Sequence, residues 1–250
     1  MSKALQKGID ALSFLSTRVS ARVTDIARAI GVNKSTAYRI METLKESNFV
    51  EKNPDTHKYK IGPAILNLSS HFYSSRLVIN VARINMKKLS EETQESTHLA
   101  VLSNNCAIII EQMLVDSRVV VNAQIGKVEP LHCSSVGKCI LAYMEDDERE
   151  KTMAEISYDI YTENTIRNAD MMRNEAAAIR KCGYAVDNRE VSNNVVCVAV
   201  PIFNGNGKCI YSLGISGTAQ RMKNEHLKTV IDKMIVAGRA ISYNLGYDSN

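Results

Sequence analysis

Lys34, Ser35, Thr36, Tyr38 and Arg39 fall within six consecutive residues, and each carries a side chain able to bond a phosphate or the edge of a base. Lys and Arg meet phosphate oxygens or guanine edges, and hydroxyls bond either phosphate or base. Asn33, just ahead of them, is a residue type that caps helices. The cluster therefore lies at the N-terminal end of a helix, the end that a helix-turn-helix places in the major groove. Lys34-Ser35-Thr36 is no Walker site, because the glycines of that loop are absent. Cys197, His132 and Asp187 are residue types of a cysteine hydrolase, which needs an exposed thiol of lowered pKa beside its base. Cys197 instead stands among Val195, Val196, Val198 and Val200, the setting of a buried, inert thiol, so catalysis is not expected. Asp187, closing the apolar run Tyr184-Ala185-Val186, and Cys197 inside its hydrophobic strand fit a small-molecule pocket better, since such pockets are mostly apolar with a few convergent polar groups.

The elements that must hold these residues follow from periodicity. Leu5, Ile9, Leu12 and Leu15 recur at helical spacing. Val23, Ile26, Ala27 and Ile30 define a second helix, with Thr24 expected as its cap and Asp25 in its first turn. Gly31 ends it, and Asn33 caps a third helix whose apolar face is Ala37, Ile40, Met41 and Leu44. Two helices separated by about three residues with a Gly in the turn make a helix-turn-helix. Residues 49–52 and 57–61 flank the turn Asn53-Pro54-Asp55-Thr56 as a hairpin, with Lys58 and Lys60 placed to lie along a phosphate backbone. Beyond it, 63–76 reads as a linking helix with Ile65, Leu68 and Phe72 on one stripe. The spacing then predicts a helix at 81–93 and strands at 97–102, 107–114 and 118–125. Helices at 136–144 and 170–182 come next, then strands at 184–190, 195–203 and 208–216, and a last helix carrying Leu227, Val230, Ile231, Met234, Ile235, Ile241 and Leu245. Long hairpin-linked strands flanked by helices fit an antiparallel α+β fold.

Charge supports a division of labour. Residues 1–62 hold 11 Lys and Arg against 6 Asp and Glu, whereas the remaining residues hold 20 against 21. A basic head on a nearly neutral body suits a protein that touches nucleic acid with one end. The chain of 250 residues is 45% hydrophobic and 23% charged, a globular composition. It has no apolar run near the ~18 residues a bilayer span needs and no signal-peptide pattern. The six cysteines include no Cys-x-x-Cys pair and the five histidines are scattered, so neither a disulfide framework nor a zinc site is expected. The expected location is the cytoplasm, with no membrane partner.

The run from Thr24 to Arg39, followed by Leu44 and Phe49-Val50-Glu51, resembles the winged head of IclR-type transcriptional regulators. The likeness continues in Tyr59-Lys60-Ile61-Gly62-Pro63, Pro130-Leu131-His132, Gly137-Lys138-Cys139-Ile140-Leu141-Ala142 and Gly183-Tyr184-Ala185-Val186-Asp187. It returns in the segment from Val196 to Phe203 and in Gly214-Ile215-Ser216-Gly217. The wing departs from the pattern with His57 where Gly is usual, and Asn193-Asn194 replace the more common x-Gly. The resemblance implies a winged helix-turn-helix domain (1–62), a linker helix (63–76) and a GAF-like effector-binding domain with an antiparallel sheet (77–250). It implies double-stranded operator DNA contacted from Asn33, Lys34, Ser35, Thr36, Tyr38, Arg39, Lys58 and Lys60. It also implies an effector, a carboxylate or sugar acid, held at the positions of Ser135, Val136, Asp187, Cys197, Gly214 and Ser216. Backbone N–H groups at Ser135 and Val136, opening a helix, suit a carboxylate. Gly214 stands where Ser is frequent, and is expected to leave extra room. A homodimer or tetramer, no cofactor, and regulation of a catabolic operon, most simply as a repressor, complete what the likeness implies.

Overall fold

The computed structural model describes residues 2–74, 77–115, 121 and 123–247, with side chains left aside for 70–74. Two compact units divide at residues 76 and 77.

In the first unit, α1 (Lys3–Ser16), α2 (Val23–Ala29) and α3 (Lys34–Glu46) precede the two-stranded wing, β1 (Val50–Lys52) and β2 (Tyr59–Ile61), and then α4 (Ala64–Ser74). Ala11, Leu15, Ala21, Ile26, Ile30, Met41, Val50 and Tyr59 form its buried core, so the helical periodicities and the hairpin converge on one cluster. Asn33 caps α3 by accepting from the Thr36 N–H at 2.8 Å. Thr24 is not the cap of α2. That helix begins at Val23 behind Arg22, and no side-chain bond caps it. The wing turn is closed by Asn53, whose Oδ1 accepts from the N–H groups of Asp55 (3.0 Å) and Thr56 (2.7 Å). His57 adopts φ 54°, so it takes the left-handed position that Gly usually occupies. The linking helix is observed as α4 to Ser74, and residues 75 and 76 of the expected span lie outside the described residues.

The second unit is built on a six-stranded sheet of order β5-β4-β3-β8-β7-β6, every neighbouring pair antiparallel. Its strands are β3 (Ser96–Ser103), β4 (Cys106–Met113), β5 (Val128–Pro130), β6 (Ala185–Asn188), β7 (Val195–Phe203) and β8 (Cys209–Thr218). One face packs on α5 (Leu77–Thr93) and α9 (Asn224–Asn244), and the other on α6 (Ser135–Ala142) and α8 (Ala169–Cys182). Ala100, Ile109, Ala185 and Ala199 of the strands meet Val136, Ile140, Ala176 and Ile179 of these last two helices in a single core. Half of the expected strand at 118–125, residues 118–120 and 122, falls outside the described residues, while 121 and 123–125 are not strand, and the third strand observed lies later, at β5. The helix α7 (Asp146–Glu155) was not foreseen. Its sequence is dominated by charge, with only Thr152 and Met153 buried, so it has no apolar stripe to read.

Candidate functional site

Around α3, the caps and core leave a polar face outward. Asn33, Lys34, Ser35, Thr36, Tyr38 and Arg39 are all exposed, while Ala37 between them is buried. Ser35 donates its hydroxyl to Asn33 Oδ1 at 2.8 Å, so it also helps to fix the cap. Tyr59, buried in the head, donates its hydroxyl to Glu42 Oε1 at 3.1 Å and so ties the wing to α3. Lys60 is exposed and paired with Glu51 at 2.8 Å. Three cations missed by the sequence reading join this surface. Lys52 of β1 lies 5.3 Å from the Tyr38 ring. Arg18 and Arg22 border, with Lys58, a depression of about 440 Å³ beside the start of α2. Their signal was the basic composition of 1–62, which has no spatial resolution.

In the sheet, register does the assembling. Paired residues of antiparallel strands share a face. Asp187 pairs with Cys197, and Cys197 with Ser216, so the three form one row across β6, β7 and β8. The next row on the same face is Ala185, Ala199, Gly214 and His98. Small side chains in these rows leave a cavity of about 100 Å³ beneath the start of α6, bordered by Ser135, Val136, Asp187, Cys197, Ser216 and His98. Ser134 caps α6, its hydroxyl accepting from the Gly137 N–H at 3.0 Å. The N–H groups of Ser135 and Val136 have no hydrogen bond among the described residues, the usual condition of a helix's first turn.

Five of the six expected effector positions thus meet at one place. Gly214 is the exception, and the expectation that it leaves extra room is corrected. A Cβ there would fall 2.2 Å from His98 Nε2, so the imidazole fills that space. Asp187 Oδ1 accepts from the Glu190 N–H at 2.6 Å and, more loosely, from the Val191 N–H at 3.4 Å. Burial outweighs these bonds and pushes its carboxyl up to about 6. Cys197 Sγ lies 3.1 Å from Ser216 Oγ, and burial pushes its thiol up, the reverse of what a nucleophile needs. His132 uses Nε2 on the Asp159 carbonyl at 3.0 Å and does not border this cavity. Behind Asp187, the buried Lys138 donates to Glu190 and Glu175. A wider cleft of about 580 Å³, bordered by Tyr143, Phe203, Arg239, Tyr243 and Tyr247 among others, contains none of the expected residues.

The model of the bacterial transcriptional regulator IclR C-terminal domain matches residues 71–243, and that of the IclR helix-turn-helix domain matches residues 4–54. The chain belongs to the IclR family. It is 27% identical over 226 residues to the HTH-type transcriptional regulator XynR of Escherichia coli, covering 90% of each chain. The crystal structure of the Thermotoga maritima IclR superposes with a TM-score of 0.80 at 28% identity, covering 97% of this chain and 98% of the other. An IclR homolog from Microbacterium hydrocarbonoxydans, solved in complex with 4-hydroxybenzoate, shares the fold with a TM-score of 0.82 at 22% identity, over 97% and 98% of the two chains. IclR-family proteins are DNA-binding transcriptional regulators and not enzymes, which agrees with the raised Cys197 thiol. Among the described residues, no helix is long and apolar enough to cross a membrane.

Proposed function

We propose that this IclR-family regulator acts in the cytoplasm as a repressor of a catabolic operon, as a homodimer or tetramer on a near-palindromic operator, and is switched by a small organic acid or sugar acid. What carries the reading is the meeting of Asp187, Cys197 and Ser216 with the unbonded N–H groups of Ser135 and Val136 in one cavity, in a chain whose other unit exposes a capped recognition helix. Asn33, Lys34, Ser35, Thr36, Tyr38 and Arg39 contact the major groove. Lys58 and Lys60, joined by Arg18, Arg22 and Lys52, follow the phosphates. A dimer through the heads is favoured by the apolar groove of about 420 Å³ between α1 and α3 and by exposed Leu5, Ile9, Leu66 and Leu68.

A cavity of about 150 Å³ is enough to hold benzene, so this one of about 100 Å³ favours a short acid over a hexose acid. The N–H pair takes the carboxylate, and Asp187 and Ser216 take hydroxyls. The test is to capture source-genome fragments with the purified protein at physiological salt and sequence those retained. Enrichment of a few near-palindromes, released on addition of short organic acids, is the expected result. Retention without a shared motif means non-specific attraction alone. Operator affinity unchanged by every saturating acid removes the switch, since linkage requires DNA and effector to shift each other's affinity by the same factor.

A further inference from the structure

The polar wall of the cavity extends past the three expected residues onto β3. His98 borders the cavity, is 4% exposed, and makes no hydrogen bond among the described residues. Its Nδ1 is buried without a partner. Gln112, directly opposite on β4, has its Oε1 buried and unpartnered, and so does the Ser96 hydroxyl two residues along β3. Buried polar groups are nearly always paired, and an unpaired one is unfavourable. Of the three, all without a partner among the described residues, His98 is the one that borders the cavity, where a bound molecule can reach it. The opposite strand makes room for this arrangement. Any Cβ at Gly214 would lie 2.2 Å from His98 Nε2 and 2.7 Å from its Cε1, so the imidazole and a side chain at 214 exclude each other.

We propose that His98 is a ligand-contacting specificity residue, whose imidazole hydrogen-bonds an uncharged hydroxyl or carbonyl oxygen of a short monocarboxylic acid held at the start of α6, with Gly214 present to admit the ring. The assignment rests on the cavity being the effector site. Burial, with the Lys127 ammonium nearby, pushes His98 down to about 4. The ring is therefore neutral at physiological pH and offers one N–H and one lone pair. A neutral ring pairs with a hydroxyl or carbonyl and gives no counter-charge for a second carboxylate, and the Lys127 ammonium on the cavity's border is already held by Glu129 at 2.7 Å. The cavity discriminates accordingly, for hydroxy and oxo acids and against both plain and dicarboxylic acids of the same length.

The test uses the full chain labelled with ¹⁵N-histidine and three probes: lactate, propionate, which lacks the hydroxyl, and malonate, which has a second carboxylate. Lactate should bind about tenfold more tightly than propionate, the scale of one neutral hydrogen bond, and should move the His98 nitrogen resonances. His98→Phe keeps a ring beside Gly214 and should bring lactate and propionate within threefold of each other. Joining His98→Ala to Gly214→Ser moves the polar group from β3 to β8 and should restore part of the preference, which guards against a loss due to misfolding. If lactate saturates, with Asp187→Asn removing the pH dependence of its affinity, but His98→Phe keeps the preference or the His98 resonances stay still, the His98 assignment is overturned and the effector site stands. If none of the three acids binds, the reading of the cavity as a site for short acids falls, and His98 with it.

Discussion

Replacing Lys138 with Met should be strongly damaging while leaving the cavity's own wall intact. Lys138 is 1% exposed, and its ammonium donates to Glu190 Oε1 at 2.5 Å, the Val186 carbonyl at 2.6 Å and Glu175 Oε1 at 2.7 Å. It therefore joins α6 to α8, to β6 and to the turn that follows β6. Met has a similar length and no charge, and it leaves the Glu190 carboxyl buried, with Oε2 already unpartnered. Removing one member of a buried pair costs about 3–5 kcal/mol, much of it the stranded charge. At about 2–4 °C per kcal/mol for a body of this size, the second unit should melt roughly 6–20 °C lower. Adding Glu190→Gln to the Lys138→Met variant removes the stranded charge and should recover at least half of the loss.

The same cluster fixes the direction of the pH response. One ammonium faces the carboxyls of Glu190, Glu175 and Asp187, and burial pushes Glu190 up to about 7 against the pull of Lys138. A carboxyl raised in the folded state stabilises below its unfolded value of 4.5 and loses that contribution as pH rises through the folded value. Without Lys138 the pull is gone, so the melting deficit of Lys138→Met should shrink as pH falls from 8 towards 5. Calorimetry of the full chain across that range decides the matter. A loss below about 1 kcal/mol, the scale of an exposed pair, refutes the reasoning, as does a double variant no more stable than the single one.

Arg39→Ala should cost about 1–3 kcal/mol of operator affinity and relax specificity at one position if Arg39 reads a base, and binding curves against operators varied one base pair at a time would show it. Equal weakening on all sequences would make it a phosphate contact instead. Affinity for an acid effector should fall as pH rises through about 6, because Asp187 then ionises and repels a carboxylate. Titration calorimetry at pH 5.5 and 7.5 measures this, and Asp187→Asn should abolish the dependence. Gly137→Ala would put a Cβ 2.4 Å from the Pro130 carbonyl oxygen and 2.7 Å from Ser134 Oγ. It should lower the melting temperature and weaken acid binding together by displacing the start of α6, whereas unchanged binding would detach that helix end from the site.

The head was readable because each of its determinants is local. A recognition surface consists of polar side chains left exposed beside an apolar helix face, and both halves of that pattern lie within the 13 residues of α3. Asn33 as cap and the left-handed turn after α2 follow from neighbouring residues alone. The misplaced cap of α2 belongs to the same scale, an error of two positions where Arg22 stands at the cap without a capping side-chain bond.

The cavity answers to a different rule. The Asp187, Cys197 and Ser216 row exists because β6, β7 and β8 pair in one register, and a slip of a single residue would turn each to the opposite face. Sequence likeness pointed to these three, because a match carries register implicitly. It did not point to His98, which no motif marks and which reaches the site through its pairing with Gly214. Gly214 by itself suggested empty space. Only with β3 beside β8 does the absence of its Cβ become the condition for placing an imidazole there. Lys138 was hidden in another way, since a lysine in an amphipathic stretch reads as solvated until α8 and the turn after β6 are seen closing over it. Residues that act through their surroundings, here His98, Gly214 and Lys138, become legible once the strands are in register, and these are the positions where substitution should most sharply separate this regulator's ligand preference from its stability.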